Sequence, residues 1–222
     1  MKLQTTDDVF DLMNAYTTSA ALNAALRLGL FWRLDQGPMN AELIANYLAI
    51  PINRCTYWLQ ILDATGMIEP GPSGYQLTRT AKSAIIDAYS QATWSFLAIE
   101  ACERFPAVHD PMQIQNQGSI WEILGREPPD YVAQMQKDSD RARRFTRMLY
   151  ELHKNLAEQV AGCLDMRAVD RMMDLGGGSG VLSMALIRRN PGLTSVIVDI
   201  PNVCAAGREI VDENDLQDRV TY

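Results

Sequence analysis

The residues whose types and spacing can do chemistry lie late in the chain, in Met172-Met173-Asp174-Leu175-Gly176-Gly177-Gly178-Ser179-Gly180. An apolar run ends in an acid, a glycine-rich bend follows, and Val181 to Arg189 then reads as a helix. Glycines allow backbone angles that a Cβ forbids, and they let a ligand come close to the main chain. The helix start behind them offers unpaired N–H groups and the positive end of a dipole. Together these features make a cradle for a small polar cofactor at the carboxyl end of a strand. A second apolar run, from Thr194, ends in Asp199. An acid at that place can accept hydrogen bonds from both hydroxyls of a ribose.

The spacing narrows the choice of cofactor. The dinucleotide fingerprint G-x-G-x-x-G/A, started at Gly176, meets Val181 at its last position; started at Gly178, it meets Ser183. The pattern that fits throughout is D-x-G-x-G-x-G, from Asp174 to Gly180. The plain alternative is a glycine-rich turn that holds no ligand, beside a solvated Asp199. The succession of both features on neighbouring strands argues against it.

Strand–helix alternation must position these residues. Arg171 to Leu175 reads as a first strand, Val181 to Arg189 as a helix stopped by Asn190-Pro191-Gly192, and Thr194 to Asp199 as a second strand. Pro201 to Asn214 reads as a second helix, and Arg219-Val220-Thr221-Tyr222 as the start of a third strand. Before this lies a long helical pattern, Asp130 to Leu164, in one or two parts. Its basic cluster of Lys137, Arg141, Arg143, Arg144 and Arg147 is interleaved with Asp138 and Asp140, which predicts a solvated face rather than an anion site.

The N-terminal region is of a different kind. Thr6-Asp7-Asp8 is expected to cap a helix carrying Val9, Met13, Tyr16 and Ala20, with Gly29 as its stop. A partner subunit or the chain's own later helices could cover so apolar a helix. Residues 38–78 read as a winged helix. Asn40 caps a short helix with Leu43, Ile44, Tyr47 and Leu48, and Pro51 opens a second with Ile52, Cys55, Leu59 and Leu62, ended by Gly66. Met67-Ile68-Glu69 and Tyr75-Gln76-Leu77 form strands around a turn at Pro70–Gly74, and Thr78 caps a helix from Arg79 to Tyr89. A winged helix suggests DNA binding, but the presumed recognition helix carries one basic residue, Arg54. Residues 1–90 hold six Lys/Arg against eight Asp/Glu. Phosphate neutralisation needs more than that, so a dimerisation scaffold is the expectation. Between these regions Trp94, Phe96, Leu97, Phe105, Ile120, Trp121, Ile123 and Leu124 supply core or a pocket wall. Pro106, Pro111, Gly118, Gly125 and Pro128-Pro129 are expected to break the segment into pieces.

Composition sets the outer bounds. The chain has 222 residues, 47% of them hydrophobic and 21% charged, with a net charge of −7. That balance does not attract nucleic acid or an anionic membrane. No apolar run approaches the roughly 20 residues that span a bilayer, and Met1–Asp8 has no signal-peptide core. Cys55, Cys102, Cys163 and Cys204 form no C-x-x-C pair, which fits reduced thiols in the cytoplasm. The two histidines, His109 and His153, have no metal-ligand spacing, so no metal is expected and both are expected to be structural.

Asp174 to Gly180 resembles motif I of the S-adenosylmethionine (SAM)-dependent methyltransferases. The order of parts resembles the O-methyltransferases of plants and bacteria, which join a winged-helix dimerisation region to a SAM-binding domain. The resemblance rests on Ala25-Leu26-Arg27-Leu28-Gly29-Leu30-Phe31, on Leu59 to Ile68 with Tyr75-Gln76-Leu77-Thr78, and on Phe145-Thr146-Arg147-Met148. Its most specific part is Asp174 to Gly180 with Asn190-Pro191 and Asp199-Ile200-Pro201. It implies a mainly α N-terminal region with a winged helix, followed by the first half of an α/β Rossmann-like domain. The regions would be 1–90 for dimerisation, 91–167 as a helical connecting and substrate-pocket region, and 168–222 for SAM.

The resemblance also implies roles. Gly176, Gly177, Gly178 and Gly180 would surround the methionine end and ribose of SAM. Asp174 would help hold the amino group, Asp199 the ribose hydroxyls, and Ile200 would lie near the adenine. Phe145 and Met148 would flank the substrate pocket. The acceptor would be a small hydroxylated compound, aromatic or polyketide-like, and the protein a homodimer. The family's general-base histidine and adenine-contacting acid lie after the third strand, beyond Tyr222, so no catalytic residue is assigned. The expectation is a continuing polypeptide, a second chain completing the sheet, or a shortened product with a changed role. Two rival readings are an NAD-dependent oxidoreductase and a non-catalytic dimerising or regulatory protein with a vestigial cofactor fold.

Overall fold

The computed structural model describes residues 3–109, 118–128 and 130–222. Pro111 and Pro129 lie outside the described residues, as does the side chain of His109. The chain forms two compact units, Met1–Leu124 and Gly125–Tyr222. The boundary between them falls inside residues 91–167.

In the first unit, α1 (Thr6–Leu28) begins one residue earlier than Thr6 suggests. Thr5 Oγ1 accepts from the Asp8 N–H, and the Asp8 carboxylate accepts from the Thr5 N–H, a reciprocal cap. Gly29 ends α1, and α2 (Leu30–Asp35) follows at once. The side chain of Asn40 accepts from the Leu43 N–H at 2.8 Å and starts α3 (Ala41–Leu48); α4 (Ile52–Ala64) follows Pro51. The antiparallel pair β1 (Ile68–Gly71) and β2 (Gly74–Leu77) runs in register Ile68↔Leu77 to Gly71↔Gly74. The strands are thus longer than Met67–Glu69 suggests, and the turn shrinks to Pro72-Ser73. The helix expected over Arg79–Tyr89 is shorter: α5 (Arg79–Ala81) widens into a π-helical turn at Lys82–Ile86, which ends at Asp87.

Helix α6 (Gln91–His109) packs along α1 and runs through Pro106 without breaking there. Phe31, Leu30, Ile44, Leu59, Leu62 and Ile68 form the centre of the core. Two indole groups tie the helices to it. Trp58 Nε1 donates to the Ala21 carbonyl at 2.9 Å, and Trp94 Nε1 to the Ile85 carbonyl at 2.9 Å. Trp94 is therefore a core residue. A short helix, α7 (Ile120–Ile123), closes the described part of this unit.

The second unit holds α8 (Tyr131–Lys137) and α9 (Ser139–Cys163). The long helical pattern is two helices, because Asp138 is extended and its carboxylate caps α9 by accepting from the Arg141 N–H. There follow β3 (Arg171–Leu175), α10 (Val181–Arg189), β4 (Thr194–Val198), α11 (Pro201–Asp212) and β5 (Val220–Thr221). The strands pair in parallel in the order β3-β4-β5, with Leu175 opposite Val198 and Ser195 opposite Val220. Met172, Ile197 and Val220 pack with Ala157 and Ala161 of α9, Met184 and Ile187 of α10, and Ile210 and Val211 of α11. The basic cluster of α9 is not simply solvated. Arg143 pairs with Glu209 at 2.6 Å, and Arg147 meets Glu213 through two bonds of 2.7 Å, so α9 is clamped to α11.

The molecule is thus mostly helical with two small sheets. Among the described residues no helix is long and apolar enough to cross a membrane, and the four cysteines are unpaired.

Candidate functional site

The glycine-rich bend sits where β3 ends and α10 begins. Gly176 (φ 70°), Gly178 (φ 53°) and Gly180 (φ 72°) all take left-handed angles, which a side chain strains. The four glycines are nevertheless glycines for different reasons. A Cβ on Gly176 would meet nothing within 4 Å, and one on Gly178 would find only Asp199 Oδ2 at 3.9 Å and the Gly176 carbonyl at 4.0 Å. Space is therefore open over these two residues. A Cβ on Gly177 would strike the Asp174 carboxyl at 2.5 Å. Gly180 is buried: its Cβ would press on Ile197 Cδ1 at 2.8 Å and the Tyr222 hydroxyl at 3.0 Å. The missing Cβ at Gly180 thus permits close helix–strand packing.

Two carboxylates flank the bend. Asp199 Oδ2 accepts from the Gly178 N–H at 2.8 Å, and Oδ1 from the Ile200 N–H at 2.7 Å. A carboxylate has about four acceptor sites, so capacity for a diol remains. Asp174 Oδ2 accepts from the Ser183 hydroxyl at 2.7 Å, and Ser183 meets Ser195 Oγ at 3.0 Å. Ser183 is fully buried, so this bond fixes the carboxyl beneath the bend. The open space and the two acids fit a ligand with a ribose and an amino-acid end.

A cleft of about 270 Å³ opens beside the loop, lined by His153, Leu156, Ala157, Val160, Asp174, Gly176, Gly177, Val181 and Leu182. His153 lies on the wall of this cleft. The spacing of His153, Leu156, Ala157 and Val160 along α9 is that of one helix face, a signal readable in the sequence. Tyr222 is the other residue that sequence reasoning missed. Its hydroxyl donates to the Gly178 carbonyl at 3.2 Å, and a Cβ on Gly207 would overlap that hydroxyl. Burial, with Cys204, Asp174 and Asp199 nearby, pushes the Tyr222 hydroxyl far up, so it stays a donor at neutral pH.

Phe145 and Ile200 come together against Met135, Ala142 and Val203. Tyr131 stands edge-on to Phe145 at 5.6 Å between ring centroids. Burial, and then the charge of Asp199, pushes its hydroxyl up. Met148 is buried but does not line the cleft. Among the described residues no three His, Cys, Asp or Glu side chains group to hold a metal.

Comparison with known proteins decides the family. Residues 109–222 match the O-methyltransferase domain. The chain belongs to the O-methyltransferase family. Among similar family members, 3-hydroxy-5-methyl-1-naphthoate 3-O-methyltransferase of Streptomyces sahachiroi is 28% identical over 90% of this chain and 56% of its own length. The N,N-dimethyltransferase OxyT of Streptomyces rimosus is 24% identical over 96% of this chain and 62% of its own. The chain therefore spans about 60% of the length of these relatives. In fold, the crystal structure of human N-acetylserotonin methyltransferase in complex with SAM matches 99% of this chain and 65% of its own. Its TM-score is 0.76 and its identity 18%.

Proposed function

We propose that the protein uses SAM to methylate a hydroxyl of a small aromatic or polyketide-like molecule. The observation that carries this reading is the Gly176–Gly178 cradle. Asp199 grips the Gly178 amide on one side, and Asp174 is held beneath it on the other. Bound SAM would supply an electrophilic methyl group on its sulfonium. The chain's own part is binding and orientation: Asp199 takes the ribose hydroxyls, Asp174 the amino group, and Ile200 supplies an apolar wall for the adenine. Gly177 lines the amino-acid end, and Gly180 lets α10 approach β4 closely. Methyl transfer in line needs little more than positioned reactants, with Phe145 and Met148 on the substrate side and a general base outside the residues assigned here. The reading is supported by relatives named for O-methylation. A relative named for N,N-dimethyl transfer makes a nitrogen acceptor the second reading.

Residues 1–90 are read as a winged-helix scaffold that joins two copies of the chain, 91–167 as the connecting and substrate-pocket region, and 168–222 as the first part of the SAM-binding domain. Val9, Phe10, Leu12, Met13 and Tyr16 of α1 are exposed apolar residues that a second copy could cover. A cytoplasmic homodimer follows from that reading.

Titration calorimetry with SAM and with NAD tests the cofactor. SAM should bind and NAD should not, and Asp199→Ala should weaken SAM by about 1.5–3 kcal/mol, the worth of a hydrogen bond to a charged group. Unchanged affinity in a folded variant would sink the assignment of Asp199. Transfer of labelled methyl groups to hydroxylated and amino acceptors decides the acceptor atom.

A further inference from the structure

The cleft beside the glycine loop has a chemical asymmetry. Its walls are apolar at Leu156, Ala157, Val160, Val181 and Leu182, and they carry one acid, Asp174, and one imidazole, His153. The amino-acid end of the cofactor is a zwitterion on a short apolar stem. Its ammonium has a partner in Asp174, but its carboxylate needs a donor. Three loop amides are already engaged. The Gly176 N–H donates to the Val198 carbonyl, the Gly178 N–H to Asp199 and the Gly180 N–H to the Gly177 carbonyl, each at 2.8 Å. The nearby cations of α9 and α10 are turned elsewhere. Lys154 lies over the Tyr150 ring at 4.3 Å, and Arg188 donates to Asn214 at 2.6 Å. His153 is the one side chain lining the cleft that can donate to a carboxylate.

We propose that His153 receives the carboxylate of the cofactor's amino-acid end, opposite Asp174, so that the two side chains clamp the zwitterion. This rests on the SAM reading and adds a residue to it. The clamp explains why an imidazole occurs on a helix face that is otherwise apolar in the cleft. It also gives α9 a part in binding: the helix supplies apolar wall at Leu156, Ala157 and Val160 and a polar contact at His153.

The test uses two ligands that differ at the group in question. S-adenosylhomocysteine carries the amino-acid end, and 5′-deoxy-5′-methylthioadenosine lacks it. Affinities of both are measured by calorimetry for the 222-residue chain, its His153→Ala and His153→Lys variants, and Asp199→Ala. His153→Ala should weaken S-adenosylhomocysteine by about tenfold or more, the range of a lost hydrogen bond to a charged group. The same variant should leave methylthioadenosine unchanged, and His153→Lys should restore most of the loss by restoring a donor. Equal weakening of both ligands, or no weakening of either, would overturn the clamp while leaving the cofactor reading intact. So would a His153→Lys variant no better than His153→Ala. A chain that binds neither ligand, or binds both without regard to Asp199, would overturn the cofactor reading and the clamp with it.

Discussion

The two faces of the β3-β4-β5 sheet differ in what covers them. On one face Met172, Ile197 and Val220 pack beneath α9, α10 and α11. On the other, Met173 is 64% exposed, Leu175 74%, Val196 46% and Val198 47%. Both faces carry large apolar side chains, as expected of parallel strands, which are normally buried on both sides. Hydropathy therefore does not distinguish the faces; the positions of the helices do. The site follows the same division. Asp174 is held by Ser183, itself bonded to Ser195, within the covered side, and its strand neighbours Met173 and Leu175 point the other way.

The largest effect should come from cutting the same kind of side chain on each face. Ile197→Ala removes atoms from a packed site and should cost about 2–5 kcal/mol, read by urea denaturation of the 222-residue chain. Leu175→Ala should stay within about 0.5 kcal/mol, as surface changes do. A cost above about 2 kcal/mol at Leu175 would mean that its face is covered in solution, and the comparison would break.

A sharper form of the comparison lies at the end of β5. Tyr222 reaches under the glycine loop, where Gly207 leaves room for its hydroxyl. Gly207→Ala should cost about 1–3 kcal/mol by overpacking. Tyr222→Phe alone should cost about 0.5–1.5 kcal/mol, the worth of its hydrogen bond to Gly178. Combined, the two changes should cost less than their sum, because the phenylalanine frees part of the space the new methyl needs. Relief stays partial, since the Gly178 carbonyl also lies 2.6 Å from that methyl position. Strict additivity in denaturation midpoints would show that the hydroxyl does not fill the gap.

The glycine loop, its two acids and the strand–helix order of the second unit were legible because short-range spacing encodes them. The caps at Asn40 and Thr78 are local in the same sense. What the sequence hid depends on distant partners. Nothing around Tyr222 announces Gly178, and nothing around Arg147 announces Glu213. His153 is an intermediate case. Its helix face could be read, but the cleft it borders exists only once α9 lies beside β3 and α10. Pro106 shows the reverse error: a local rule for breaking helices yielded to a helix packed along α1.

The smallest effect concerns the rim of the covering layer, where Arg147 holds Glu213. The hydrogen bonds from Arg147 keep the Glu213 carboxyl below the usual glutamate range, against a small opposing effect of burial. A carboxyl held low contributes stability that is present above its unfolded value of about 4.3 and is lost as pH falls through the folded value. The stability advantage of the wild-type chain over Glu213→Gln should therefore be largest near neutral pH and shrink below about pH 5. The side chains are 32% and 52% exposed, so the advantage should stay under about 1 kcal/mol and fall further in added salt. Denaturation midpoints at neutral and acid pH, for both chains, measure it. A difference independent of both pH and salt would show that Arg147 joins α9 to α11 by packing rather than by charge. The covered face would then be held by its apolar contacts alone.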